Sequence, residues 1–115
     1  MRILGFAAAL MALASTTPAF AEGFSVRDML EVRDRDECLR RAELAMNAHI
    51  KSNGGEVVVT DWIVYGWDLG PGNNDVTFMC PVVNGGVING FMVIYSETGE
   101  DERTFVANEL ERLFN

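Results

Sequence analysis

Apolar residues recur along this chain with three different spacings, and each change of spacing marks an element. From Ile3 to Ala14 the run is apolar throughout and leaves no polar face. Between Arg35 and about Ser52, Cys38, Ala42, Ala45, Met46 and His49 fall on one helical face, while Arg40, Arg41, Glu43, Asn47 and Lys51 take the other. Asp34, three residues before Glu37, supplies an N-cap and capping-box pair. Asn53-Gly54-Gly55 ends this helix, because glycine accepts the backbone a C-terminal cap requires. From Glu56 the pattern becomes that of strands. Val57 to Tyr65 is rich in β-branched and aromatic residues, and Gly66 to Asn74, with three glycines and Pro71, reads as a long turn or hairpin loop. A second strand runs from Asp75 through Val76, Phe78 and Cys80 to about Val83, with Pro81 pointing to an edge or a bulge. Asn84-Gly85-Gly86 turns the chain into a third strand, Val87 to Ser96, where Gly90 is a candidate bulge. Val106, Leu110, Leu113 and Phe114 return to helical spacing between about Asp101 and Phe114. Glu22 to Val32 stays open: Phe24, Val26, Leu30 and Val32 alternate as in a strand, whereas Ser25 and Asp28 have the spacing of a helix start, so the segment is read as an extended arm.

The elements predict an α+β fold in the order helix, three-stranded antiparallel meander, helix, with both helices on one sheet face. No repeat, low-complexity stretch or interdomain linker interrupts them.

The apolar start changes the meaning of the composition. Met1 and Arg2 form a short positive region, Ser15 to Pro18 a polar break, and Ala19-Phe20-Ala21 an Ala-x-Ala cleavage site, so residues 1–21 read as a signal peptide and 22–115 as one small domain. The apolar run is shorter than the roughly 20 residues that span a bilayer, and no later segment reaches that length. Without the leader, 8 basic and 17 acidic side chains remain, a net charge of −9. Nucleic acid is excluded as a partner, since a phosphate backbone is bound by clustered Lys and Arg, and anionic membrane surfaces are disfavoured for the same reason. A protein partner with a basic surface stays open, as does the oligomeric state. The expected location is the periplasm or the extracellular medium.

Cys38 and Cys80 are the two cysteines. In an oxidising compartment an even count reads as one disulfide, here from the first helix to the middle strand. Closing a loop of about 43 residues removes on the order of 4 kcal/mol of unfolded-state entropy. A redox role would call for Cys-x-x-Cys, and a structural zinc site for four ligands where two cysteines and one histidine are present.

Candidate chemistry is sparse. His49, the one histidine, lies on the apolar helix face beside Met46 and reads as a packed structural residue. No Gly-x-Ser-x-Gly element appears. Asp61, beside Trp62 in a strand, is the carboxylate expected to be partly desolvated and the one a small hydrolase or lyase would use. Glu100, Asp101 and Glu102 are accounted for by the N-terminal end of the last helix. The loop from Trp67 to Asp75 offers oxygen ligands without the spacing of an EF-hand, so no cofactor or metal is assigned. Its aromatic and polar residues, Trp67, Asp68, Asn73, Asn74 and Asp75, are the candidate interaction surface, for a protein or a sugar ring.

Cys38 to Glu43 on a helix, Gly54-Gly55 at its end, Val64-x-Gly66, Thr77-x-x-Cys80 and the apolar run from Phe91 to Tyr95 together resemble a family of small exported bacterial proteins of unknown function. The resemblance covers residues 37–114 and implies a periplasmic, disulfide-bonded α+β domain without catalytic residues. The expectation is therefore a non-enzymatic binding or interaction protein. The alternatives are an inhibitor or immunity-type protein acting on a basic partner, and a carboxylate-dependent enzyme.

Overall fold

A computed structural model describes residues 23–82, 87–97 and 99–115. The expected leader, Met1 to Ala21, lies outside these residues, as do Val83 and the Asn84-Gly85-Gly86 turn. The described elements are β1 (Gly23–Val32), α1 (Arg35–Asn53), β2 (Glu56–Val59), β3 (Ile63–Leu69), β4 (Asn74–Met79), β5 (Ile88–Ser96) and α2 (Glu100–Phe114). The fold is α+β, with five strands in the order β1-β5-β4-β3-β2 and every neighbouring pair antiparallel.

Two features correct the expected three-stranded meander. The run from Val57 to Tyr65 is two strands, because the chain reverses at Thr60, whose backbone N–H and hydroxyl both donate to the Ile63 carbonyl. High strand propensity on both sides hides a turn of Thr60-Asp61 type. The arm is also a strand: β1 pairs with β5 from Gly23 opposite Ser96 to Val32 opposite Ile88. Its partner lies far along the chain, so its alternation alone could not settle its state.

The α1 boundaries follow from their caps. Asp34 accepts a hydrogen bond of 2.8 Å from the Glu37 N–H, and Gly54, at φ 83°, donates to the Ile50 carbonyl. Cys38, Ala42, Ala45, Met46 and His49 form the buried face, as their spacing requires. In α2, Val106, Ala107, Leu110 and Phe114 are buried.

Both helices lie on the same side of the sheet. Cys38 of α1 is bonded to Cys80, Phe114 of α2 stacks on Phe78 at 4.9 Å, and residues 78 and 80 share one face by the two-residue period of a strand. α1 covers β2 and β3 and α2 covers β1 and β5. An ion pair of 2.7 Å from Arg27 to Glu111, and a hydrogen bond from Arg103 Nε to Ser25 Oγ, tie β1 to α2. Val64, Val76, Phe78, Met92 and Ile94 fill the space between the layers. Gly90 is not a bulge: β4 and β5 pair without interruption, and the register shift falls on β1, between Asp28 and Glu31. A side chain at Gly90 would press on Cys38 Sγ and the Phe78 ring, so the glycine admits the disulfide to the sheet.

Candidate functional site

The helices occupy one side, and among the described residues no element packs on the other side of the sheet. The inter-strand register defines its rows: Phe24, Tyr95 and Asp75 in one, Val26, Val93, Thr77, Tyr65 and Val58 in the next, then Asp28, Phe91, Met79 and Ile63. Trp67 stands beside Tyr65, two residues along β3 and opposite Glu56. The central side chains are half-buried by one another, whereas Phe24 at 69%, Val26 at 63% and Trp67 at 41% stand exposed at the margins. Asp28, Glu31, Glu56 and Asp75 are carboxylates of this face, the first three on edge strands and Asp75 at the hairpin end; the described residues in its rows include no Lys or Arg.

The rings are arranged in pairs. Tyr65 and Trp67 stack at 5.5 Å with planes 9° apart, and Phe24 lies against Tyr95 at 5.2 Å. At that separation near-parallel rings are offset rather than eclipsed. The pair stands as an aromatic ridge along β3. With five strands about 4.8 Å apart and roughly six residues of about 3.3 Å each, the face spans about 480 Å² in projection.

The hairpin from Trp67 to Asp75 borders this face, and its five candidate residues divide by role. Trp67, Asp68 and Asn73 are exposed. Asp68 has φ 54°, in the left-handed region, and its N–H donates to Asp75 Oδ1 at 3.0 Å, which bends β3 and half-buries Asp75. Asn74 is fully buried, so it is not available as a contact residue. Its Nδ2 donates to the Leu69 and Pro71 carbonyls, each at 2.8 Å, and holds the turn closed. Loop asparagines are common on surfaces and in turn scaffolds alike, and sequence does not separate the two.

Below the hairpin, His49 is also fully buried. Its Nε2 donates to the Gly70 carbonyl, which can only accept, and its Nδ1 lies 2.7 Å from Glu109 Oε1. Asn53 Nδ2 donates to the His49 carbonyl at 3.0 Å and to Glu109 Oε1 at 3.4 Å. One histidine thus joins α1, α2 and the hairpin. With one ring nitrogen on a backbone carbonyl and no solvent access, it positions the loop rather than reacting with a ligand. The pairing with Glu109, 60 residues away, has no signal in the sequence.

Asp61 departs from expectation. It is exposed in the turn between β2 and β3, not desolvated within a strand. Trp62 beside it is 44% exposed at the opposite end of β3 from Trp67. The strand expected to carry both is broken there by the Thr60 turn.

A depression of about 580 Å³ lies where β1 leads into α1, lined by Glu31, Arg33, Asp34, Glu37, Arg41 and their neighbours. Its charges are largely satisfied internally: Glu37 accepts from Arg41 and Arg40 at 2.8 Å each. The Arg41 hydrogen bond, then that from Arg40, holds the Glu37 carboxyl below its ordinary value of 4.5. Among the described residues no group of three His, Cys, Asp or Glu side chains could hold a metal ion, and no helix is long and apolar enough to cross a membrane.

Comparison with family models, with curated proteins and with solved structures finds no match to this chain.

Proposed function

We propose that this chain is an exported binding domain that works through its open sheet face, with the Trp67 hairpin as one border of the contact surface. The observation that supports this reading is the apolar, aromatic side of a five-stranded sheet on which no described element of the chain packs. An antiparallel sheet with one solvated side ordinarily alternates apolar and polar residues. β5 does not: Phe91, Met92, Val93, Ile94 and Tyr95 are apolar without a break, the pattern of a strand covered on both sides.

The contact is made by side chains rather than by a reactive group. His49 is used structurally, Asp61 stands in an exposed turn, and in the charged depression at β1 Glu37 is paired with Arg41. The open face recruits a partner through buried apolar area, with the four marginal carboxylates setting orientation. The proposed setting is the periplasm or the extracellular medium, in keeping with the leader and the disulfide. An inhibitor acting on a basic partner would instead have to engage through the acidic rim.

The test is affinity capture from periplasmic extract with wild-type, Thr77→Lys and Leu44→Lys baits, the last on the exposed side of α1. Loss of the same bound species with Thr77→Lys, and retention with Leu44→Lys, is the expected result. A capture profile indifferent to Thr77→Lys would remove the sheet face as the working surface.

A further inference from the structure

We infer that the occupant of the open sheet face is a second copy of this chain, packed sheet against sheet. The inference rests on the proposed role of that face and names its partner.

Three observations lead to it. The first is chemical. The molecule is strongly acidic, yet this face has an uncharged centre and, among the described residues, no basic side chain. A basic partner would meet valines, Thr77 and aromatic rings there, whereas an identical face offers the same chemistry in return. The carboxylates Asp28, Glu31 and Glu56 lie on the two edge strands and Asp75 at the hairpin end of β4, all at the border of the face, where hydration is retained when two faces close on one another.

The second is geometric. Two antiparallel sheets pack with their strands within about 30° of each other, their inner faces interdigitating at about 10 Å. The Phe24 and Tyr95 pair on β1 and β5 and the Tyr65 and Trp67 pair on β3 stand as ridges on either side of β4, whose shorter side chains Asp75 and Thr77 lie between them. A ridge on one copy then has a furrow to enter on the other.

The third is area. Two faces of about 480 Å² in projection give roughly 960 Å² before relief is counted, since strands are about 4.8 Å apart and rise about 3.3 Å per residue. Stable interfaces begin at about 1,200 Å² of accessible surface. The projecting side chains Phe24, Val26 and Trp67, each more than two-fifths exposed, supply accessible area beyond the projection. The face therefore falls in the range of small, transient interfaces, which fits a concentration-dependent dimer.

Sedimentation velocity and light scattering, on protein exported with its own leader and purified from the periplasm with its disulfide intact, decide the matter. Across a micromolar concentration series the wild type is expected to reach twice the mass of one chain. Thr77→Lys should raise the dissociation constant by about a hundredfold or more, because each copy would bury an unpaired ammonium. Val93→Lys, on the neighbouring strand, should do the same, so the result does not depend on one variant folding. Leu44→Lys, on the exposed side of α1, should leave the mass unchanged, and circular dichroism should show the native fold in every variant that is scored. A wild type that stays monomeric to the highest concentration overturns the inference. If that monomer still captures a species that Thr77→Lys loses, only the identity of the partner is wrong; if neither variant changes capture, the binding role of the face falls with it.

Discussion

At the scale of single residues, the sequence indicates which groups are buried better than what they are bonded to. The spacing of Cys38, Ala42, Ala45, Met46 and His49 placed the histidine in the core, and it is there. Its use could not be read in the same way, because Gly70 and Glu109 arrive from other elements. Replacing His49 by Leu keeps the volume but leaves the Gly70 carbonyl without its donor and removes the ring nitrogen beside Glu109, so a loss of about 2–4 kcal/mol is expected. Urea unfolding measures it, and a change under 1 kcal/mol would mean that water replaces the imidazole there. Asn74, taken from sequence as a contact residue, is the opposite lesson, since a turn can bury the polar side chain that closes it. Glu37 carries a pH prediction. Its folded carboxyl lies below 4.5, so its contribution to stability is fully present above that value and is lost as the pH falls through the depressed one. Glu37→Gln should therefore lower the melting temperature at neutral pH by more than it does in acid. Thermal scans at both pH values would refute the pairing if the difference were constant.

Elements were legible in proportion to how local their causes are. α1 has its cap, its periodicity and its terminal glycine within one stretch of sequence, and its boundaries agree with expectation to within a residue. β1 depends on pairing with β5 across most of the chain, and the break between β2 and β3 depends on one turn inside a run of strand formers. Nor does the sequence say which side of β5 is covered, since all five residues from Phe91 to Tyr95 are apolar. The structure separates them, with Met92 and Ile94 fully buried under the helices and Phe91, Val93 and Tyr95 half-buried on the open side. Lysine substitutions at adjacent positions should thus behave oppositely. Ile94→Lys places an unpaired charge in the core and should cost more than about 4 kcal/mol, enough to unfold much of the population. Val93→Lys lets the ammonium reach water and should leave the monomer folded. Far-ultraviolet circular dichroism of the two variants makes the comparison, and equal loss of structure would mean that both sheet sides are covered within one chain.

For the whole molecule, the disulfide and the leader belong to one problem, which is how a domain of this size holds together where it is made to work. Cys38 and Cys80 close a loop with a sequence separation of 42, pinning the start of α1 to the end of the central strand β4. Without that link the chain-entropy cost is on the order of 4 kcal/mol against a total of about 5–15 kcal/mol for a typical domain, so Cys38→Ala with Cys80→Ala should unfold at much lower urea concentration. Disulfides persist chiefly in oxidising compartments, and the proposed export would place the chain in one. The position of the cut can also be argued from the fold. The described part of β1 starts at Gly23, opposite Ser96, so the proposed cleavage after Ala21 would keep every described residue of the strand. A cut even three residues later would remove Phe24, which lies against Tyr95 at the border of the open face. Intact mass measurement of the periplasmic protein should therefore give a chain starting at Glu22. Replacing Ala19 and Ala21 by lysine should leave the precursor uncut, because the peptidase accepts only small side chains at those positions. A periplasmic product that starts beyond Gly23 would mean that β1 is shortened in the working molecule, and the Phe24 ridge of the open face would go with it.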